Sequence, residues 1–240
     1  MKPALFPVDR LNAAGLNRQA VFNLADLPSD IRQKLMPQAG ETQLILLGHG
    51  GRRLWACVAP TAGESKDPID DHCVATLRQL FAEELPEHHY RILYPGEQII
   101  GLQALGQLAG WHHPSPFMIG VDARWGSWYA YRAVVLSDTD FPAQTPVDRD
   151  KPADPPSPCL SCTERPCITT CPANALLDGH FDLARCSDYR LQADSPCAFT
   201  CLARLACPVG SEHRYDAAQL HHTYARSLQM IRHYRNQAFR

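Results

Sequence analysis

Eight of the ten cysteines in this 240-residue chain lie close together, between positions 159 and 207. They form two blocks of four, and each block ends in a Cys-Pro pair. The first block is Cys159, Cys162, Cys167 and Cys171, and the second is Cys186, Cys197, Cys201 and Cys207. A [4Fe-4S] cluster takes four cysteine thiolates, so the two blocks together match the ligands of two clusters.

The spacing of the first block predicts how the cysteines divide between the clusters. In the bacterial ferredoxin run C-x2-C-x2-C-x3-C-P, a loop around one cluster supplies three ligands and the fourth cysteine ligates the other cluster. The block here reads C-x2-C-x4-C-x3-C-P, two residues longer in the middle. On this logic the first cluster takes Cys159, Cys162, Cys167 and Cys207, and the second takes Cys171, Cys186, Cys197 and Cys201.

The alternatives are a single cluster, structural zinc and unligated thiols. Zinc also binds four cysteines, and its C-x2-C knuckle occurs once, at Cys159 and Cys162. The second block offers C-x3-C and C-x5-C spacings, which do not form another knuckle, so we favour two clusters. The remaining Cys57 and Cys73 fall on a predicted strand and a predicted helix, and we expect them to be small buried apolar residues.

Charge and hydropathy narrow the choice of partners and compartment. The formal net charge is -2, with both signs scattered, so we expect neither a nucleic-acid partner nor a strongly basic one. The N-terminus lacks the apolar core of a signal peptide, and no apolar run is long enough to cross a membrane. We therefore expect a cytoplasmic protein, in which metal or cluster ligation explains so many cysteines better than disulfides do.

Residues 1–140 alternate helix and strand patterns and predict an α+β domain in which helices cover a sheet. One helical stripe contains Ile69, Cys73, Leu77, Leu80 and Phe81, and a second, after Glu97, contains Ile100, Leu105 and Leu108. The predicted strands are QLILLG from Gln43, LWACVA from Leu54, YRILY from Tyr90 and YAYRAVVL from Tyr129.

A proline-rich linker is predicted next, because residues 141–158 contain six prolines and almost nothing apolar. The cysteine-rich domain, 159–212, follows it. A C-terminal helix is predicted within 213–240, with an apolar stripe and with His221 and His222 as exposed residues. The stripe consists of Leu220, Tyr224, Leu228, Ile231 and Tyr234.

The stretch AGWHHPSPFMIGVDARWGSWYAYRAVVLSD, residues 109–138, followed by the linker and the double cysteine block, resembles the corrinoid-binding core shared by epoxyqueuosine reductases, reductive dehalogenases and the cblC-type cobalamin-processing protein. In those families a helix ends at an Ala-Gly pair, a loop leads into a strand, and a Gly-Ser-Trp or Gly-Gly-Trp turn opens a second strand. The matching positions are Ala109-Gly110, a strand near Phe117 to Val121, and Gly126-Ser127-Trp128. The resemblance covers roughly residues 43 to 210. DPIDDHCVATLRQLF and RILYPGE resemble the cblC-type protein, and the cysteine blocks resemble the reductase and dehalogenase branch.

The resemblance implies a flavin-reductase/nitroreductase-like sheet-and-helix core that holds cobalamin, followed by a small ferredoxin-like domain with two [4Fe-4S] clusters. Glycines allow close approach of the backbone to a broad ligand, and flat side chains pack on it. The implied cofactor-binding residues are Gly110, Trp111, Arg124, Gly126, Ser127 and Trp128. The alternative is a Gly-Ser turn that starts a strand and places Trp128 in the core without any ligand.

The resemblance also implies limits on the substrate. Epoxyqueuosine reductases carry an aspartate acid before the loop glycine, where this chain has Gly96 with Glu97 beside it. Glu97 is a weak catalytic candidate, and we favour its role as a charge at a helix N-terminus. The chain stops soon after the cysteines and lacks a basic extension, so a tRNA-modifying role is not expected.

Together these observations predict an iron–sulfur redox protein that reduces a bound corrinoid, for cofactor processing or reductive ligand removal, with a redox partner protein as electron donor. Clusters accept single electrons at low potential, which suits a reductase or a carrier. The alternatives are a ferredoxin-like electron carrier without corrinoid, and a zinc-stabilised structural protein.

Overall fold

The computed structural model of the chain describes residues 5–148, 155–177 and 180–238, which divide into two units. The first unit comprises residues 5–112 and 129–148, and the second comprises residues 113–128, 155–177 and 180–238. Residues 149–154 of the predicted linker lie outside the described residues. Residues 113–128 belong to the second unit, whereas the prediction assigned all of residues 1–140 to one domain.

The helices and strands follow the chain in an α+β order. The first unit contains α1 (Val8–Ala13), β1 (Arg18–Asn23), α2 (Ser29–Leu35), β2 (Gln43–Gly50), α3 (Arg53–Val58), α4 (Pro68–Glu84), β3 (Tyr90–Tyr94), α5 (Leu102–Leu108) and β4 (Tyr129–Ser137). The second contains α6 (Pro166–Thr169), α7 (Leu183–Leu191), α8 (Leu202–Ala206) and α9 (Ala217–Ala238). Among the described residues, none of these helices is long and apolar enough to cross a membrane.

A four-stranded sheet in the order β1-β2-β4-β3 forms the centre of the first unit, and its neighbouring strands all pair antiparallel. Every residue of β2 is buried, as expected for a central strand with a continuous apolar run. Ile45 and Leu47 share one face with Val135 of β4 and pack in the same core as Leu77 of α4. The period-two pattern of the strands and the helical stripe of α4 therefore meet in one apolar layer.

Three of the four predicted apolar strands are confirmed, as β2, β3 and β4. The fourth prediction, LWACVA, is wrong because these residues form α3. Leu54, Trp55 and Val58 lie within one turn of that helix and are buried together. A short apolar run fits a buried helix as well as a buried strand, so periodicity alone did not distinguish the two.

The strand expected near Phe117 to Val121 is also absent among the described residues of the second unit. Phe117 lies in a turn, and Val121 forms only an isolated bridge with His113. The turn at residues 126–128 does open a strand, since β4 begins at Tyr129. The helix predicted to end at Ala109-Gly110 ends at Leu108, with Ala109 as its C-cap.

Residues 141–148 of the predicted linker are held by the first unit. Phe141 is buried in the core around β2, and the amide of Gln144 donates to the Val21 carbonyl at 2.9 Å. The amide of Val147 donates to the Leu108 carbonyl at 2.8 Å. Residues 141–148 are therefore anchored backbone, not a free connector.

The C-terminal helix begins at Ala217, later than predicted, because Ser211–His213 forms a separate 3-10 turn and Asp216 precedes α9. The Asp216 carboxylate accepts a hydrogen bond from the Gln219 amide at 2.8 Å. Of the predicted stripe, Tyr224 and Leu228 are buried, whereas Tyr234 is 63% exposed. The apolar stripe of α9 is therefore buried only in the first half of the helix.

Candidate functional site

The first predicted set of cysteines comes from two parts of the second unit. Cys159 and Cys162 lie in a loop, Cys167 lies on α6, and Cys207 directly follows α8. Burial raises the pKa of Cys159, and the thiolates of Cys207 and Cys162 raise it further. Burial also raises the pKa of Cys167, with added contributions from Cys207, Cys159 and Cys162. The cysteine contributions to these two pKa values therefore come from members of the same set.

The second predicted set behaves in the same way. Cys171 follows α6, Cys186 lies on α7, and Cys197 and Cys201 precede α8. Burial raises the pKa of Cys186 to about 11, and Cys201, Cys171 and Cys197 contribute to the shift. Burial raises the pKa of Cys201, and Cys197 and Cys171 again add to it. The thiolate interactions thus fall within the two predicted sets.

The second set surrounds a cavity. All four of its cysteines line a space of about 350 Å³ together with apolar side chains that include Leu176, Phe181 and Leu202. Protein interiors are close-packed and contain few voids larger than a water molecule. Four soft sulfur donors around an apolar space of this size fit an iron–sulfur cluster better than they fit a hydrated ion.

No group of three or more His, Cys, Asp or Glu side chains, within the ranges that the structure describes, is arranged to hold a single metal ion. Tetrahedral thiolates on one zinc ion lie about 3.8 Å from each other, because each Zn–S bond is ~2.3 Å. The ligands of a four-iron cluster lie further apart, since each thiolate binds a different iron. The ligation of a cluster by each cysteine set therefore stays a prediction.

Segment 113–128 packs on the cysteine segment, which explains its place in the second unit. Phe117 and Val121 share an apolar cluster with Cys167, Leu176 and Cys207. Burying these two side chains removes apolar surface from water on both sides of the contact, at roughly 25 cal/mol for each Å². The predicted boundary missed this because the contact joins residues distant in sequence.

Gly126 allows a close backbone crossing within the second unit. Its φ is +58°, and a Cβ at this position would lie 1.9 Å from the Val209 carbonyl oxygen. Gly210 makes the reciprocal approach, since its Cβ would lie 2.4 Å from the carbonyl carbon of Trp125. This crossing lies just beyond Cys207-Pro208, so the cysteine segment occupies the space where a Cβ of residue 126 would stand.

Ser127 and Trp128 are likewise committed to the second unit, because both are completely buried. The Ser127 hydroxyl and carbonyl accept hydrogen bonds from the guanidinium of Arg204. The same guanidinium lies over the Trp128 ring, 4.3 Å from its centroid. For these residues the structure matches the alternative stated above, a turn that starts a strand and places Trp128 in the core.

The other implied corrinoid contacts are divided between the units. Gly110, with a φ of +68°, and Trp111 follow α5 in the first unit. The Trp111 ring lies parallel to that of Tyr131, and the guanidinium of Arg18 lies 4.5 Å from its centroid. Arg124 belongs to the second unit, is exposed, and lies over the Trp125 ring.

Glu97 is exposed in a bend and lies five positions before α5 begins at Leu102. The favoured interpretation of Glu97 as a helix N-terminal charge is therefore wrong, because dipole effects act within the first turn of a helix. Of the two other cysteines, Cys73 is fully buried and burial raises its pKa to about 12. Cys57 is half-buried on α3, with its sulfur 3.5 Å from the Ala13 carbonyl oxygen.

Sequence reasoning missed two buried arginines beside the second cysteine set, Arg190 and Arg204. Their positions relative to the cysteines were a usable signal, since Arg190 follows Cys186 by four residues and Arg204 follows Cys201 by three. Residues four apart lie on the same face of a helix, as Cys186 and Arg190 do on α7, and Arg204 lies in the first turn of α8 after its N-cap residue Cys201. An arginine placed in this way beside a ligand is a candidate for direct electrostatic action on the site.

Comparison with known proteins relates the chain to epoxyqueuosine reductases. No protein-family model matches the chain. An epoxyqueuosine reductase of Aliivibrio fischeri is 31% identical over 114 residues, which make up 47% of this chain and 28% of that protein. The matched part is therefore well under two thirds of the relative.

Solved structures give the same relation at the level of the fold. A crystal structure of epoxyqueuosine reductase with an epoxyqueuosine-modified tRNA-Tyr stem loop aligns with a TM-score of 0.52 and 12% identity, over 88% of this chain and 66% of that one. An epoxyqueuosine reductase from Bacillus subtilis aligns with a TM-score of 0.51 and 12% identity, over 87% of this chain and 66% of that one. The chain spans slightly less than two thirds of each solved protein, and at this identity the similarity shows a shared fold.

Proposed function

We propose that the chain is an iron–sulfur reductase whose second unit holds two [4Fe-4S] clusters. The observation that carries the proposal is the arrangement of Cys171, Cys186, Cys197 and Cys201 around one apolar cavity. The fold shared with epoxyqueuosine reductases supports a reductase role. The proposed ligands of the first cluster are Cys159, Cys162, Cys167 and Cys207, whose thiolates interact with each other.

When bound, each cluster would supply one-electron chemistry at low potential. The chain's own contribution is to hold the thiolates and exclude water from them. Burial raises the pKa of Cys197 and Cys207, so their thiols hold protons more tightly than exposed thiols do. Loading the site must therefore release these protons, and burial by Leu176 and Phe181 then limits access of water and oxygen.

Anaerobic reconstitution with ferrous iron and sulfide tests the cluster proposal. We expect about eight iron and eight sulfide per chain, and a paramagnetic signal on reduction with dithionite. The matched control is Cys57→Ser, which removes a half-buried cysteine of the first unit and leaves the iron content unchanged. Stoichiometric zinc without acid-labile sulfide would instead establish the zinc-stabilised alternative.

A bound corrinoid is the proposed electron acceptor, and its support is the resemblance of residues 109–138 to corrinoid-binding cores. The fit is incomplete, because Gly126, Ser127 and Trp128 are used inside the second unit. We derive no chemical step through a corrin for this reason. Spectra of micromolar protein with cob(II)alamin separate the two parts of the proposal: unchanged corrin bands would remove the acceptor and leave an electron carrier.

The expectation that nucleic acid is not a partner conflicts with the tRNA stem loop in the epoxyqueuosine reductase structure, and we do not keep it. A second candidate function is therefore reduction of a tRNA nucleoside. It is favoured by α9, whose sequence contains Arg226, Arg232 and Arg235 and no carboxylate. Arg235 pairs with Asp188 on α7, which reduces its contribution to any phosphate contact.

Binding of a labelled tRNA stem loop at several salt concentrations tests this candidate. Each neutralised phosphate adds about -0.7 to -0.9 to the slope of log K against log salt. We expect Arg226→Gln with Arg232→Gln to weaken binding and flatten the slope, whereas Lys34→Gln in the first unit does neither. Equal binding by all three proteins would rule out α9 as the contact.

A further inference from the structure

Arg190 and Arg204 are unusual because they are buried beside sulfur donors. Arg190 on α7 is 7% exposed and Arg204 on α8 is 5% exposed. Arginine is rarely this buried unless its charge is compensated. Of the residues that the structure describes, no carboxylate forms an ion pair with either side chain.

Arg190 donates hydrogen bonds only to neutral acceptors among the described residues. Its Nε donates to the Cys197 carbonyl at 3.1 Å, and its Nη2 donates to the carbonyls of Ala198 and Tyr224 at 3.2 and 3.0 Å. Its Nη1 donates to the Ser227 hydroxyl at 2.9 Å. These contacts fix the guanidinium beside the second set without neutralising its charge, and that charge acts on Cys186 and Cys197.

Arg204 reaches the same set from α8. Its donors bind Ser127, and its guanidinium lies 4.3 Å from the Trp128 ring centroid and 5.0 Å from that of Tyr215. Burial lowers the pKa of this guanidinium, but the tyrosine contacts raise it to a net value above its usual range. Arg204 therefore stays cationic, and its charge acts on the thiolate of Cys201.

The first set has a weaker cationic environment. The positive charges that act on it belong to Arg165, which is exposed, and Arg214, which is half-buried and donates to the Cys207 carbonyl. An exposed charge is screened by water and salt, whereas a buried one is screened much less. The two predicted metal centres therefore differ electrostatically, although each has four cysteines.

We propose that Arg190 and Arg204 make the second cysteine set the higher-potential metal centre, so that it is reduced before the first. The inference rests on the proposed function, because it requires a cluster at each set. Reduction adds one electron, and so one negative charge, to the centre that accepts it. Two buried cations stabilise that added charge at the second set more than the exposed Arg165 and the half-buried Arg214 stabilise it at the first.

The same asymmetry gives a direction to electron flow within the second unit. With a cluster at each set, an electron supplied by a low-potential one-electron donor protein would come to rest at the second set. A transfer from the first centre to the second would oxidise the first by one electron and reduce the second by one. The direction depends only on the order of the two potentials.

A redox titration followed by electron paramagnetic resonance tests the order, using titanium(III) citrate as reductant. The wild-type protein should show two signals that appear at different potentials. We expect the signal that appears at the higher potential to persist in the Cys162→Ser variant, because this change perturbs only the first set. In Arg190→Gln, we expect the reduced-to-oxidised ratio of the second centre to fall at least tenfold at a fixed potential. For a one-electron couple this is a shift of about 59 mV to lower potential.

Two matched variants separate charge from structure. Arg190→Lys keeps the cation but loses the planar fork, so it should retain most of the wild-type potential. Arg185→Gln removes a charge from the same helix, directly beside Cys186, but Arg185 is 60% exposed and pairs with Asp182 at 3.2 Å. We expect no shift in that variant.

The inference is overturned if the Cys162→Ser variant loses the signal that appears at the higher potential. This test does not depend on the folding of an arginine variant. It is also overturned if Arg190→Gln and Arg204→Gln both fold and leave the potentials unchanged. Failure of the proposed function has a different readout, namely fewer than two clusters in the wild-type protein by iron and sulfide content.

Discussion

Replacing Gly126 by alanine should destabilise the second unit more than an ordinary glycine substitution does. The new Cβ would lie 1.9 Å from the carbonyl oxygen and 2.7 Å from the carbonyl carbon of Val209, and both atoms are backbone. Neither can move aside by a side-chain rotation. The Val209–Gly210 segment must therefore shift by about an ångström or more to restore normal contact distances.

The expected magnitude combines two effects. A non-glycine residue at a φ of +58° costs roughly 1–2 kcal/mol, and displacing a packed backbone adds strain of comparable size. The total is about 3 kcal/mol. The control Gly40→Ala has a φ of +90° but no atom within 4 Å of its Cβ, so it carries only the conformational cost.

Urea unfolding of both variants, followed by tryptophan fluorescence and far-UV circular dichroism, measures the effect. Because Val209 lies two residues after Cys207, Gly126→Ala should also lose about four of the reconstituted iron atoms, those of the first set. Gly40→Ala should keep all of them. A Gly126→Ala protein with the iron content of the wild type and a loss no larger than that of Gly40→Ala would refute the crossing argument.

Two further predictions concern the stability of the first unit. Glu41 accepts two hydrogen bonds from Arg91 at 2.8 Å. Burial raises the pKa of Glu41, but the hydrogen bonds from Arg91 and from the Gln38 amide outweigh burial and hold that pKa below its usual range. The ion pair therefore stabilises the fold above the unfolded pKa of about 4.3, and this stability is lost as the pH falls through the folded value. Glu41→Gln should cost about 1 kcal/mol in urea unfolding at pH 7 and much less at pH 3, and an equal cost at both would contradict the ion pair. Leu77→Ala, in the fully buried face of α4, should lower the free energy of unfolding by about 2–5 kcal/mol in the same measurement. The control Arg78→Ala changes the exposed neighbour and should lower it by less than ~0.5 kcal/mol. Similar losses of stability in the two variants would show that α4 does not cover the sheet.

The cysteine grouping could be predicted from spacing because the number of ligands that each cluster takes is fixed, and the grouping stays a prediction. Each cluster takes four cysteines, and the chain turns away from the first block at Cys171-Pro172. These two conditions leave few ways to divide the eight cysteines between two clusters. The thiolate interactions fall into the same two sets, although the bound metal itself stays a prediction. The central strands were equally accessible, because continuous apolar runs such as that of β2 have few other solutions.

Other features depended on contacts that the sequence does not record. Segment 113–128 joins the second unit through Phe117 and Val121, and nothing in its local pattern names the cysteine loop as its partner. Gly126 as a corrinoid contact stays a prediction, and the group that the structure places against it is the backbone of Val209. A glycine or an apolar side chain shows that something packs against it but does not show what.

Cysteine double variants test the central claim most directly, because the claim is that the fourth cysteine of the first block serves the second cluster. Cys162→Ser with Cys207→Ser removes two ligands from one set and should leave about four iron atoms per chain after reconstitution. Cys162→Ser with Cys171→Ser removes one ligand from each set and should leave clearly fewer. If the Cys162 and Cys171 pair instead retains four iron atoms while the Cys162 and Cys207 pair retains almost none, each block holds its own metal and the account is contradicted.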